Sequence, residues 1–196
     1  MSIHNTLNAP DNRSSLDLEY SFPYGSGIPM IDNLAPYVWD DFTSAASAAI
    51  RAVSWQGGHC RAPNAEPNGP PASVGTFNVS FYADNDGRPS FPANVLYRVT
   101  LTAAEVREQF AFEARGRDYQ RSEADCIYYD YTAVLPNLVP VTAGTRYWLL
   151  IRRGDGAGAW GWRVGRQDNG MSARGTIRAG ELSILPKDLA FSLSSP

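Results

Sequence analysis

The chain has 196 residues, of which 43% are apolar and 19% charged, and its formal net charge is −3. That apolar fraction can offset the entropy of ordering a backbone, so a disordered chain is excluded, and the length suits one all-β domain with a full core. The 17 basic residues are scattered, with Lys187 the only lysine, so no basic stripe marks a nucleic-acid surface, and no apolar run approaches the roughly 20 residues of a membrane span.

Residues 1–36 are rich in Asn, Asp, Ser, Gly and Pro, and only Leu16 to Phe22 alternates as a strand does. This segment reads as an irregular N-terminal arm, laid over its own domain or over a neighbouring subunit. Met1 to Ser15 lacks the basic-then-apolar pattern of a secretory leader, so either a leader has been removed or the protein is not exported by the general secretory route.

From Tyr37 to the end, residues 37–196, short apolar stretches alternate with turn residues. Phe77, Val79 and Phe81 share one strand face and Asn78 and Ser80 the other, before Asp84-Asn85-Asp86-Gly87 turns the chain. Further strands are expected at Ile50 to Trp55, Asn94 to Leu101, Ile127 to Leu135, Arg146 to Arg152, Ala159 to Gly165, Gly175 to Ala179 and Leu189 to Leu193. Many short strands without long helices predict an antiparallel β-sandwich, jelly-roll-like, with at most one or two short helices. Thr102-Ala103-Ala104-Glu105 has the form of a capping box, and at most a short helix is expected at 103–110. The alanine run Ser44 to Arg51 favours helix by propensity, but strand pairing on either side is expected to override it.

A set of ordered motifs spans residues 40 to 193: Asp40-Asp41-Phe42, Trp55-Gln56-Gly57-Gly58, Phe81-Tyr82-Ala83-Asp84 with Gly87 and Pro89, alternating Tyr129, Tyr131, Ala133 and Leu135, Ala143-Gly144-Thr145 before Tyr147-Trp148-Leu149, Trp160-Gly161-Trp162, and Asp188 to Leu193. In this the chain resembles uncharacterised secreted bacterial β-sandwich domains that sit ahead of exosortase-type or other cell-surface sorting tails. The resemblance implies a jelly-roll-like fold and an extracellular or cell-surface setting, and brings no established activity.

Catalytic chemistry finds few candidates. His59 could pair with Cys60 or Cys126, but no orienting third group accompanies them. Glu105, Glu108, Glu113 and Glu123 read as a solvated face, and no zinc-ligand spacing is present. No catalytic residue is therefore expected. Cys60 and Cys126 lie 66 positions apart (126 − 60) in polar, turn-rich surroundings, open to a disulfide or to two unrelated thiols. Asp84 and Asp86 offer hard oxygen ligands on one tight loop and are the expected pair if calcium binds; Asp41 and Asp188 are an alternative pair, and turn formation alone would also explain the loop.

Aromatic residues, including five Trp and ten Tyr, are the feature that points most directly to function. Flat rings beside polar groups make sugar platforms and protein-interface anchors. Trp55, Tyr82, Tyr128 and Trp160 are the expected ligand-binding residues, with Tyr128 and Asp130 facing outward and Tyr129 and Tyr131 facing the core. The function that follows is a non-catalytic extracellular module binding carbohydrate or a protein surface. The alternative is a structural component of a surface layer, filament or phage particle, forming a homo-oligomer through the 1–36 arm.

Overall fold

The computed structural model describes residues 2–5, 18–20, 37–60, 75–117, 123–154, 160–165, 171–175 and 182–196. They form thirteen strands in two antiparallel sheets packed as a β-sandwich, with no helix among the described residues. The first sheet contains β1 (Ser2–Asn5), β2 (Leu18–Tyr20), β4 (Ala48–Cys60), β7 (Val106–Arg117), β8 (Glu123–Val141), β10 (Gly161–Arg163) and β13 (Phe191–Ser194). The second runs in the order β12 (Leu182–Leu185), β11 (Ser172–Gly175), β3 (Tyr37–Thr43), β9 (Arg146–Arg153), β5 (Phe77–Ala83) and β6 (Val95–Leu101).

β4 organises the first sheet. Its 13 residues extend about 40 Å at the strand rise. One edge pairs with β8 along most of that length, and the other takes β13 at 52–55 and β10 at 57–58. At Gly58, β4 runs close against β8. A Cβ built there overlaps the Ile127 carbonyl oxygen and lies 3.1 Å from its carbon, and backbone cannot swing aside as a side-chain tip can. Gly58→Ala is therefore expected to lose about 2–3 kcal/mol through overpacking, read as a lower urea midpoint. A midpoint unchanged from that of the native chain would contradict this packing.

Alternation sends one residue set of each strand into the space between the sheets. Val38, Phe42, Val53, Trp55, Phe77, Val79, Phe81, Tyr131, Leu149, Trp160, Trp162 and Phe191 are among the buried residues of that core. The expected split of the tyrosine run holds, with Tyr129 and Tyr131 in the core and Tyr128 and Asp130 on the other face. A second apolar cluster of Trp39, Tyr82, Trp148, Leu150 and Ala173 lies on the outer face of the second sheet.

Two expectations change. The short helix allowed at 103–110 is absent: residues 103–105 turn and β7 begins at Val106. The capping-box contact itself is present, since Glu105 Oε2 accepts both the Thr102 N–H and its hydroxyl at 2.8 Å. It closes the β6–β7 turn instead of starting a helix, because β8 offers residues 106–117 a ladder interrupted only at Ala111. The arm, read as irregular, includes β1 and β2, which pair with β13 and β10 of the same chain. Its remaining residues lie outside the described set, as do Ala159 and 176–179 of two expected strands. The alanine run behaves as expected, with Ala48 to Ile50 opening β4.

Candidate functional site

The expected tryptophan platform is overturned. Trp55 and Trp160 are both 0% exposed. Trp55 stacks on Tyr131 at 5.3 Å, and Trp160 meets Phe77 edge-on at 5.3 Å. Both sit at core-facing positions, so neither ring can receive a ligand. Tyr128 faces outward but is also buried, stacked on Phe112 at 4.7 Å. Tyr82 is likewise fully buried, but whereas Trp55 underlies a groove on the first sheet, Tyr82 lies beneath one on the outer face of the second sheet whose rings Tyr37 and Phe91 remain partly exposed.

That groove, of about 350 Å³, crosses the outer face of the second sheet. Register builds it. Arg152 on β9 stands opposite Asn78 on β5, which stands opposite Thr100 on β6; one step along, Leu150, Ser80 and Arg98 form a second row. These six residues share the outer face because their neighbours Ile151, Val79 and Val99 turn to the core. Tyr37 from β3 and Phe91 from the β5–β6 connection wall one side. Their rings lie 5.2 Å apart, and Phe91 meets Tyr82 at 5.8 Å and Trp39 at 5.2 Å. The wall is therefore held rigid by its own packing before any ligand arrives.

The polar groups are oriented too. Arg152 Nη1 donates to the Tyr37 hydroxyl at 3.2 Å, with the guanidinium 5.3 Å from that ring, and Arg98 Nη2 donates to the Tyr82 hydroxyl at 3.4 Å. The Asn78 carboxamide oxygen accepts the Thr100 hydroxyl at 2.7 Å, so what the amide offers a ligand is N–H. Sequence reading missed Tyr37, Phe91, Arg98 and Arg152, which come from four separate elements. A signal existed, since Tyr82 follows Asn78 and Ser80 at the same parity and shares their polar face.

A second groove, of about 520 Å³, lies on the outer face of the first sheet, beside the β7 bulge between Phe110 and Phe112. Its charged groups are linked through Gln56, while the buried Arg163 Nε has no hydrogen-bond partner among the described residues. Arg163, 2% exposed, donates to Gln56 Oε1 at 2.5 Å and lies 5.1 Å from the Phe112 ring, while Gln56 donates to Asp130 at 2.6 Å. This chain of contacts explains how the sheet tolerates a buried arginine.

The calcium candidates separate. Both carboxylate oxygens of Asp84 accept protein N–H groups, from Trp148 Nε1 at 2.6 Å and Gly87 at 3.0 Å, and Asp86 is exposed at φ 53°. The loop is thus built by its turn residues. The alternative pair Asp41 and Asp188 does come together, joined by Asp40: one oxygen from each lies within 4.8 Å of the others, all three residues buried. These are the described residues that could hold a hard cation. Much of the cluster already serves as a joint, since Asp40 accepts the Leu189 and Asp41 N–H groups, Asp188 accepts Met171 N–H, and Arg146 pairs with Asp41 at 3.3 Å.

Burial, reinforced by the charges of Asp188 and Asp41 and opposed by the Leu189 N–H, holds the Asp40 carboxyl well above the ordinary aspartate range. The fold then favours its protonated form, so its contribution to stability is full below the unfolded-state value and lost as pH rises through the raised one. The native melting temperature minus that of Asp40→Asn should therefore fall from pH 4 to pH 8. A difference that is flat or rises with pH would contradict this.

The cysteines, expected in turn-rich surroundings, lie instead on strands, with Cys60 directly opposite Cys126 in the β4–β8 register. No described cysteine is a free thiol. His59 sits in the next register pair, opposite the core residue Ile127, and its Nε2 is 2.8 Å from Arg153 Nη1, which donates to it. Occupied by an arginine, that nitrogen is unsuited to activate a thiol.

Comparison with known proteins adds one finding. A family model described as a domain of unknown function, DUF7901, matches residues 8–187. The chain belongs to that family. The match runs from the arm to the segment before β13, so it contains the whole groove and Asp40 and Asp41 of the acidic joint, with Asp188 one residue beyond it. No curated protein and no solved structure matches the chain.

Proposed function

We propose that this DUF7901 domain is a non-catalytic, extracellular carbohydrate-binding module whose ligand lies along the outer groove of the second sheet. One observation carries the reading: partly exposed Tyr37 and Phe91, with Tyr82 behind them, border the same groove as two arginines and an amide that donate hydrogen bonds. Sugars need this combination, an apolar wall for the C–H face of the ring and planar donors for the hydroxyls. The facing cysteines support an oxidising compartment.

The test is a glycan array followed by calorimetry on the strongest hit. Tyr37→Ala and Phe91→Ala are each expected to weaken binding roughly ten-fold, the size of one lost aromatic contact. Gln109→Ala, in the groove of the first sheet, should bind as the native protein does. Absence of binding across a broad array would overturn the reading.

A further inference from the structure

We infer that the saccharide held in this groove is anionic, a polymer whose carboxylate or sulfate groups are taken by Arg98 and Arg152. The inference rests on the carbohydrate reading and names its ligand class. Each guanidinium carries five N–H donors and cannot lose its charge at physiological pH. Each donates to a tyrosine hydroxyl, a bond that orients the fork without neutralising it, and among the described residues neither has a carboxylate partner. Arg146, by contrast, is paired with Asp41, and Arg163 is linked through Gln56 to Asp130.

Among the described residues, no Asp or Glu lines the groove. Arg152 is half-buried and Arg98 exposed, so both can reach a ligand. They stand on β9 and β6, the two neighbours of β5, and in adjacent rows. At ordinary strand spacings the two positions are therefore separated by about 10–12 Å, a span that suits charges repeated along a polymer better than one small anion. The chain's net charge of −3 makes overall attraction to a polyanion an inadequate explanation, so recognition would be local.

The experiment measures binding of the full chain to polygalacturonate, to the same polymer after carboxyl reduction, to a sulfated galactan and to polyglutamate. Native protein should bind at least one anionic polysaccharide ten-fold or more tightly than the reduced, neutral polymer, more weakly as salt rises. Whichever of the two anionic polymers binds better identifies the anion. Arg98→Gln and Arg152→Gln should each cost about ten-fold while leaving the melting temperature unchanged. Equal affinity for the charged and reduced polymers would overturn the anionic assignment and leave carbohydrate binding standing. Equal affinity for polyglutamate would overturn the saccharide class, and no binding to any of the four would overturn both readings.

Discussion

Trp55→Ala is expected to cost about 3–5 kcal/mol of folding stability, as is Trp160→Ala, because each empties a space in the interior that neighbouring rings cannot close. Trp55 packs face to face with Tyr131 and edge-on to Phe77 at 5.2 Å, and Trp160 packs against the same Phe77 and Tyr131. A domain of this size holds about 5–15 kcal/mol in all, so either variant should unfold at far lower urea. A surface sugar platform behaves in the opposite way, losing ligand and little stability. If Trp55→Ala kept the native urea midpoint, the core placement would be wrong and the platform reading would return.

The second large effect concerns Cys60 and Cys126. Antiparallel partners directly across a ladder stand close enough for a cross-strand disulfide. A peptide map under non-reducing conditions is expected to recover the two cysteines in one linked pair. Closing a loop of 66 positions (126 − 60) restricts the unfolded chain, and in the loop-entropy model the link contributes about 4 kcal/mol. The Cys60→Ser, Cys126→Ser double variant should therefore melt well below the native chain, and reductant should lower the native midpoint but not the variant's. Equal midpoints with and without reductant would contradict the link.

Strands with one apolar and one polar face were legible. Phe77, Val79 and Phe81 face the core and Asn78 and Ser80 do not, as their alternation dictates. β9 is different: Tyr147, Trp148, Leu149, Leu150 and Ile151 are an unbroken apolar run because both faces are covered, so its inward side cannot be read from the pattern. That ambiguity conceals Arg152, whose outward placement depends on pairing with Asn78. β7 was misread because the sequence Val106-Arg-Glu-Gln-Phe-Ala-Phe112 satisfies helical and extended patterns alike, and only the partner strand β8 decides. The tryptophans were misplaced for a related reason, since a ring beside a glycine loop suits a rim as well as a core. Asp41 and Asp188 could be suspected from their positions beside the first and last core strands, but their joining through Asp40 depends on β3 lying next to β11 and the segment before β13.

The claim on which the functional account depends is that ligand binds the outer face of the second sheet and not that of the first. Backbone amide NMR shifts, followed while the native chain is titrated with the tightest-binding glycan of the array, test it most directly. The account predicts that shifts concentrate at Asn78, Ser80, Tyr82, Arg98 and Arg152, the residues bordering the groove. Shifts concentrated instead at Gln56, Gln109, Asp130 and Arg163 would place the ligand on the opposite side of the sandwich and contradict it.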